Sequence, residues 1–337
     1  MNPAILAEVT RSHVVESIHR GHLIVLDGDG KEICSLGNKK AITFMRSSAK
    51  PFQVLPLIYS GGAKKFNLLD EEIAIACASH SGEQFHIGIV EKMLKKIGVD
   101  ESFLQCGAHL PFNEKVAEQM IKNNEKPRAI HNNCSGKHAA MLAMAKHLGA
   151  NLQDYLHTTH NVQQEILKII STFTETAESK IKVGIDGCSA PTFALSMEAM
   201  AKAMTKLILP TRFFDESLVA ACNRVTKAMM TYPEVIGGNE RLDTILMKAG
   251  KGTIVSKIGA EGVWLCGILP SQKWKQGLAI ALKIEDGDDK RARAVVAIEL
   301  LRKLGVFNED TLSSYSPLPV KNRNGNIVGQ VRACFDV

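Results

Sequence analysis

No stretch of this sequence approaches the 18 consecutive apolar residues that a membrane-spanning helix requires, so the chain is not expected to enter a bilayer. Its first residues, MNPAILAEVTRSHVVES, lack a basic segment followed by an apolar one and do not read as a secretory signal. Aromatic and basic residues are not interleaved, which removes the pattern of a nucleic-acid surface. The formal charge of +6 is instead dispersed, in pairs such as Lys64-Lys65 and Lys95-Lys96 that fall inside amphipathic segments and read as solvated faces. There is no Cys-x-x-Cys, no regular histidine spacing, no internal repeat, no low-complexity tract and no long linker. Together these absences predict a cytoplasmic protein whose 8 cysteines are free thiols, some of them available as metal ligands. Cys34, Cys77, Cys222, Cys266 and Cys334 stand in apolar surroundings and are expected as small core residues.

What is present is an ordinary core-forming composition, 45% apolar over 337 residues, enough for one large or two interleaved domains. The ends read as strands: AEVTRSHVVES and HLIVLDGDGKEICSLG near the start, GTIVSKIG, GVWLCGIL, GLAIALKIEDG and GNIVGQVRACF near the end. The middle reads as helices, with apolar residues at helical spacing in VEKMLKKIG, KVAEQMIKN, KHAAMLAMAKHLG, VQQEILKIISTF, TFALSMEAMAKAMTKLIL, SLVAACNRVTKAMM and RLDTILMKAG. ARAVVAIELLRKLG adds a helix among the last strands, and Gly149, Gly250 and Gly305 are expected helix stops. Strands from both ends share a sheet only if the chain returns to its origin. The prediction is therefore α+β: one nested unit over 1–337, with an antiparallel sheet from about 1–45 plus 250–337 and a mostly helical region over about 46–249.

Several polar turns sit at element ends, where sites are usually built. MRSSAKPFQ, residues 45–53, places Ser47 and Lys50 three apart, which on a helix puts both on one face. A serine hydroxyl becomes a nucleophile when a base takes its proton, and an uncharged lysine amine serves if burial or a neighbouring cation lowers its pKa. Lys257 is a candidate for that second cation. The competing reading is a serine helix cap beside an exposed lysine, and Pro51 leaves the helix start open by a residue or two. Further turns are ACASHSGEQFH (76–86), HNNCSGKHAAM (131–141), VSKIGAEGVW (255–264) and GIDGCSAPTF (184–193), the last read as a strand end turning into a helix. Cys134 with Lys137, and Cys188 with Asp186, supply two thiols, an amine and a carboxylate, a donor set that suits tetrahedral zinc, although from the spacing alone structural thiols are the favoured reading. A lysine ligand must be uncharged, so such binding would depend steeply on pH.

The motifs MRSSAKPFQ, ASHSGE, HNNCSGKHAAM, IDGCSAPTF, PEVIGGNERLDT and SKIGAEG, with VVESIHRG near the start, occur in the order seen in the bacterial L-asparaginase II family of the Rhizobium etli type, which the chain resembles over essentially its whole length. The resemblance implies a serine β-lactamase/glutaminase-like fold, two serine–lysine pairs at Ser47 with Lys50 and Ser79 with Lys257, and a zinc site at Cys134, Cys188 and Lys137 near Asp186. It also implies a homodimer acting on L-asparagine, and the mechanism expected from the serine and lysine chemistry is hydrolysis to L-aspartate and ammonia through a serine acyl-enzyme. Lys257-Ile258-Gly259 occupies a place like the Lys-Thr-Gly of β-lactamases, but no Ser-Asp-Asn element is evident, so β-lactam chemistry is not expected. Arg46 and His138 are candidates for the substrate α-carboxylate and Glu83 or Asp186 for its α-ammonium, with Asn133 on the same substrate-binding face. Two alternatives stay open: a glutaminase or other serine amidohydrolase, since one methylene is worth only about 1–3 kcal/mol of discrimination, and a zinc-stabilised amino-acid-binding protein without catalysis.

Overall fold

The β-rich ends of the chain pair with each other. A computed structural model describes residues 2–337 and contains an eight-stranded sheet in which Ala4–Arg11 lies between Ile327–Ala333 and Val14–Asp27. The order continues through Leu278–Ile284 and Val263–Ile268 to Ile254–Ile258; Leu318–Lys321 extends the other side and Glu32–Leu36 pairs with Val14–Asp27. Neighbouring strands here run antiparallel: Ala7 faces Ala333, Val25 faces Ile280, and Cys266 also faces Ile280 from the other side. The architecture is the expected α+β arrangement.

Every residue of Ile254–Ile258 and Val263–Ile268 is buried, which explains their near-continuous apolar sequence: strands covered on both faces do not alternate. Trp264, the largest of these side chains, satisfies its indole N–H by donating to Ser256 Oγ at 2.9 Å. The helix Ala292–Lys303 covers the sheet near its terminal strands, where Val295 packs with Val9 and Val331.

The chain divides into two units. One comprises the chain through Ser48, Leu195–Thr205 and Ser256–Val337, and the other comprises Ala49–Ala194 and Lys206–Val255. The second unit is helical for the reasons its sequence shows. Gln84–Ile97 buries Ile87, Val90, Leu94 and Ile97 at helical spacing and ends on Gly98 in a left-handed conformation. Glu114–Lys122 begins where Asn113 accepts from the Val116 N–H. Ser135–Leu148 lies against Asp70–Cys77 at Gly136, where an added Cβ would stand 2.2 Å from the Ile75 carbonyl oxygen. Only glycine permits that approach.

Three local expectations are corrected. Pro191–Ser196 is a strand paired with Lys182–Ile185, and the helix starts only at Met197, so TFALSMEAM is not helical throughout and GIDGCSAPTF is a β-hairpin turn. Strand pairing overrides the helical spacing of a segment rich in small residues. Cys334 is exposed and Cys34 only half-buried, because both lie toward sheet margins.

Candidate active site

Within the helical unit, three polar turns meet. The turn after Asp70–Cys77 places Ser79, whose N–H donates to the Ile236 carbonyl at 2.9 Å, and His80, whose N–H donates to the Asn133 carbonyl at 3.2 Å. Ser81 Oγ donates to the Gly237 carbonyl. Gly238 has a positive φ of 83°, and an added Cβ there would lie 2.5 Å from Glu83 Oε1 and 2.9 Å from Ser81 Oγ. ASHSGE, HNNCSGK and PEVIGGNE, distant in sequence, thus form one polar surface.

Two histidines secure it. His80 Nδ1 accepts from the Gly82 N–H at 3.2 Å, so its proton is on Nε2, which donates to Ser135 Oγ at 2.8 Å. His86 repeats the arrangement, accepting from the Glu83 N–H at 3.2 Å and donating to the Glu234 carbonyl at 3.0 Å. The rings stack with centroids 5.2 Å apart. Burial, then the neighbouring His86 and Lys50, holds His80 well below the ordinary histidine range, and burial lowers His86 to about 4. Neither role was read from the sequence, although both residues lie in the quoted stretch ACASHSGEQFH.

Lys50 begins the short helix Lys50–Gln53, which tolerates Pro51 in its first turn. Only 1% exposed, it donates to the Ala78 carbonyl and to Ser79 Oγ at 3.0 Å. The observed serine partner of Lys50 is therefore Ser79. In the other unit, Ser47 and Arg46 are half-buried in the 3-10 turn Arg46–Ala49, and Arg46 has φ 52°. A left-handed backbone at a non-glycine residue is strained, and such strain concentrates at functional positions. Ser48 is buried and donates to the Met45 carbonyl at 2.7 Å. Lys257, fully buried in its strand, donates to the Ile258 carbonyl at 3.1 Å. Gly259, two residues later, leaves room for the Met45 carbonyl, which an added Cβ would meet at 2.5 Å.

The thiol cluster lies wholly in the helical unit. Cys188, in the hairpin turn after Lys182–Ile185, hydrogen-bonds to Cys134 and accepts from Lys137 Nζ at 2.9 Å. All three are buried. The bond from Cys188 outweighs burial and holds Cys134 well below the ordinary thiol range, with the Lys50 and Lys137 charges adding to the effect. Cys188 is correspondingly raised, because it keeps the proton it shares. Burial pushes Lys137 down, but the two sulfurs and Asp186 reverse this and leave it above the ordinary lysine value. Asp186 Oδ1 accepts from the Gly187 N–H at 2.7 Å. Among the described residues no group of three or more histidine, cysteine, aspartate or glutamate side chains gathers as a metal centre, so the third donor of a zinc site here would be Lys137. Two sulfurs and an amine linked through Cys188 fit a thiophilic ion, provided Lys137 sheds its proton. A third buried cysteine, Cys106, raised to about 12 by burial and then by Cys134, lies nearby and was not singled out in the sequence.

The remaining candidates divide. Asn133 and Glu83 are half-buried at the meeting of the turns. His138 is fully buried, with Nδ1 2.7 Å from the Tyr155 hydroxyl. The Tyr155 hydroxyl also accepts from the Gln105 N–H at 3.0 Å.

The sequence matches the L-asparaginase II family over residues 7–333. The curated proteins compared with it give no match. Among solved structures, the Bacillus subtilis glutaminase in covalent complex with 5-oxo-L-norleucine is similar with a TM-score of 0.40 and 14% identity, covering 85% of this chain and 87% of that one. A Bacillus glutaminase determined in the presence of 4.3 M NaCl gives a TM-score of 0.40 and 14% identity over 87% and 92% of the two chains. A β-lactamase from Burkholderia ambifaria gives 0.38 and 12% over 86% and 94%.

Proposed function

The chain belongs to the L-asparaginase II family and is an amide hydrolase; on that footing we propose that it hydrolyses the side-chain amide of L-asparagine to L-aspartate and ammonia through a serine acyl-enzyme. The observation that carries the reading is the buried Lys50 amine. An uncharged amine has two N–H bonds and one lone pair. When Lys50 is deprotonated, the Ala78 carbonyl and Ser79 Oγ can take its two N–H bonds and leave the lone pair to accept a proton.

In this mechanism Ser47 Oγ gives its proton to Lys50 and bonds to the carboxamide carbon. The C–N bond then breaks, Lys50 returns the proton to the departing nitrogen, and ammonia leaves. Water attacks the β-aspartyl ester with the same lysine as base, freeing L-aspartate and Ser47. Backbone N–H groups at the helix start stabilise the oxyanion. The strained Arg46 and the partial exposure of Ser47 support its choice as nucleophile. The bond from Lys50 favours a second reading in which Ser79 is acylated. Zinc, when bound by Cys134, Cys188 and Lys137 with Asp186 as a nearby charge, would tie the helix Ser135–Leu148 to the hairpin turn and so fix the substrate face.

Ammonia release measured with L-asparagine and L-glutamine tests the reading. Turnover of asparagine in preference to glutamine is expected, as is loss of turnover in Lys50→Ala. No ammonia from either amino acid overturns it, and faster release from glutamine overturns the choice of substrate. Peptide mass spectrometry after acid quench locates the acyl group, expected on Ser47 and assigned to Ser79 by the second reading.

A further inference from the structure

The loop Gly107–Asn113 has no regular secondary structure, yet it is tied to the catalytic turn at several points. The Asn113 N–H donates to the Ser81 carbonyl at 3.0 Å, and Pro111 lies where a Cβ on Gly82 would meet it at 2.8 Å. Phe112 is sandwiched, with the His109 ring 4.8 Å from its centroid and the Arg241 guanidinium 5.4 Å from it. These contacts hold His109 against Asn133, a half-buried residue whose carbonyl accepts from the His80 N–H beside Ser79.

The bonds of His109 fix its tautomer. Nδ1 lies 2.7 Å from the Leu110 carbonyl oxygen, which only accepts, so Nδ1 carries the proton. Nε2 lies 3.1 Å from the Asn133 backbone N, which only donates, so Nε2 is a bare lone pair. The Asn133 side-chain atom placed as Oδ1 lies 3.2 Å from the same Nε2. An oxygen there would set lone pair against lone pair, whereas an NH2 group would donate. The oxygen and nitrogen of an amide are told apart by such partners. Cys134 Sγ, which accepts from Cys188, lies 3.7 Å from that amide atom and would accept from an NH2 there as well.

We infer that His109 is a positioning residue that turns the NH2 of Asn133 toward its own Nε2, leaving the Asn133 carbonyl oxygen to accept from the substrate α-ammonium group. The inference rests on the proposed asparaginase reading and specifies one end of its substrate. Asn133 in this orientation rejects a carboxylate, because it offers that group only an oxygen.

Two measurements test this. Nitrogen-15 NMR of the imidazole reports the tautomer with no substrate present. A neutral ring protonated on Nδ1 is expected, and one protonated on Nε2 overturns the inference whether or not the chain is an asparaginase. The second measurement compares KM for L-asparagine with that for succinamate, which lacks the α-amine. His109→Phe keeps the stack on Phe112 and removes the acceptor. It is expected to raise KM for asparagine about tenfold, to lower kcat less than about twofold, and to leave KM for succinamate unchanged. In an Asn133→Ala background the same substitution is expected to add nothing further. An equal rise in KM for succinamate, or a full additional loss in that background, overturns the inference. His109→Gln provides the same comparison if the phenylalanine variant does not fold. Absence of ammonia release from the parent protein overturns the asparaginase reading, and the NMR result still decides the tautomer.

Discussion

Lys50 and Lys137 are both buried lysines in the helical unit, and each follows a hydroxyl or thiol residue by three positions, Ser47 in one case and Cys134 in the other. Their surroundings differ. Lys50 donates to a carbonyl oxygen and a hydroxyl, which are neutral, whereas Lys137 donates to Cys188 of a thiol pair in which Cys134 is held well below the ordinary thiol range. Neutral partners leave an amine able to take and return a proton. Charged ones lock the proton in place until something else neutralises the sulfurs. In the proposed reading, the same three-residue spacing serves proton transfer in one place and a cation site in the other. What distinguishes them is the element that faces each lysine: the turn carrying Ser79 or a hairpin carrying Cys188.

The largest effect should come from removing the lysines one at a time. Lys50→Met is expected to lower kcat by about 10²–10⁴-fold, the usual contribution of a general base, with circular dichroism unchanged. Lys137→Met should lower kcat by no more than about tenfold, since it takes no proton from the substrate. Equal losses in the two variants would erase the distinction.

Acid should then separate the Lys50 region by stability. His86 has a folded-state pKa lowered to about 4. The unfolded chain, with an ordinary value of about 6.5, therefore binds the proton first as pH falls. The stability that comes from keeping this ring neutral is fully present above about pH 6.5 and is lost as pH falls toward about 4, at a total cost of about 3 kcal/mol. His80, lowered in the same direction, steepens the loss. Urea midpoints for the parent protein and His86→Gln at pH 7 and pH 4.5 measure it. The variant should start lower and change less, and an equal change in both would show that the stacked pair is not the acid-sensitive element.

The Lys137 region should respond to metal instead. Zinc uptake requires the Cys188 thiol and the Lys137 ammonium each to shed a proton, so affinity should fall about tenfold or more for each unit decrease in pH. Calorimetry in two buffers of different ionisation enthalpy counts the protons released. Chelation should lower the thermal midpoint and leave the Lys50→Met defect as large as before. Binding that is independent of pH would remove Lys137 from the donor set.

How far the sequence reveals these differences follows from the range of the forces involved. The sheet strands were legible because Val263–Ile268 and Leu278–Ile284 are apolar runs bounded by glycine or polar turns, a local signal. Pro191–Ser196 misled because its strand character comes from pairing with Lys182–Ile185, which its own residues do not announce. The turns ASHSGE and HNNCSGK stood out through dense polar residues at helix ends. The partner Lys50 finds there, Ser79, depends on tertiary placement, as does the burial of His138 against Tyr155. His109 left no periodic signal, because it lies in an irregular loop and acts through a neighbour 24 positions away in sequence. Cysteine burial is not legible locally, since an apolar neighbourhood in sequence does not say which face of a strand turns outward.

Cys334 gives the smallest expected effect and a control for the two buried regions. Its backbone N–H donates to the Leu6 carbonyl at 3.1 Å and its side chain is exposed, so Cys334→Ser keeps the ladder bond and changes only a surface atom. Stability should change by less than about 0.5 kcal/mol. A maleimide should label Cys334 before any other thiol in the native protein, with Cys134 and Cys188 following only on unfolding, because both are buried behind the Lys137 helix and its hairpin. Rapid native labelling of Cys188 would mean that the hairpin opens readily, and the buried charge contrast between Lys137 and Lys50 would then be weaker than the static contacts imply.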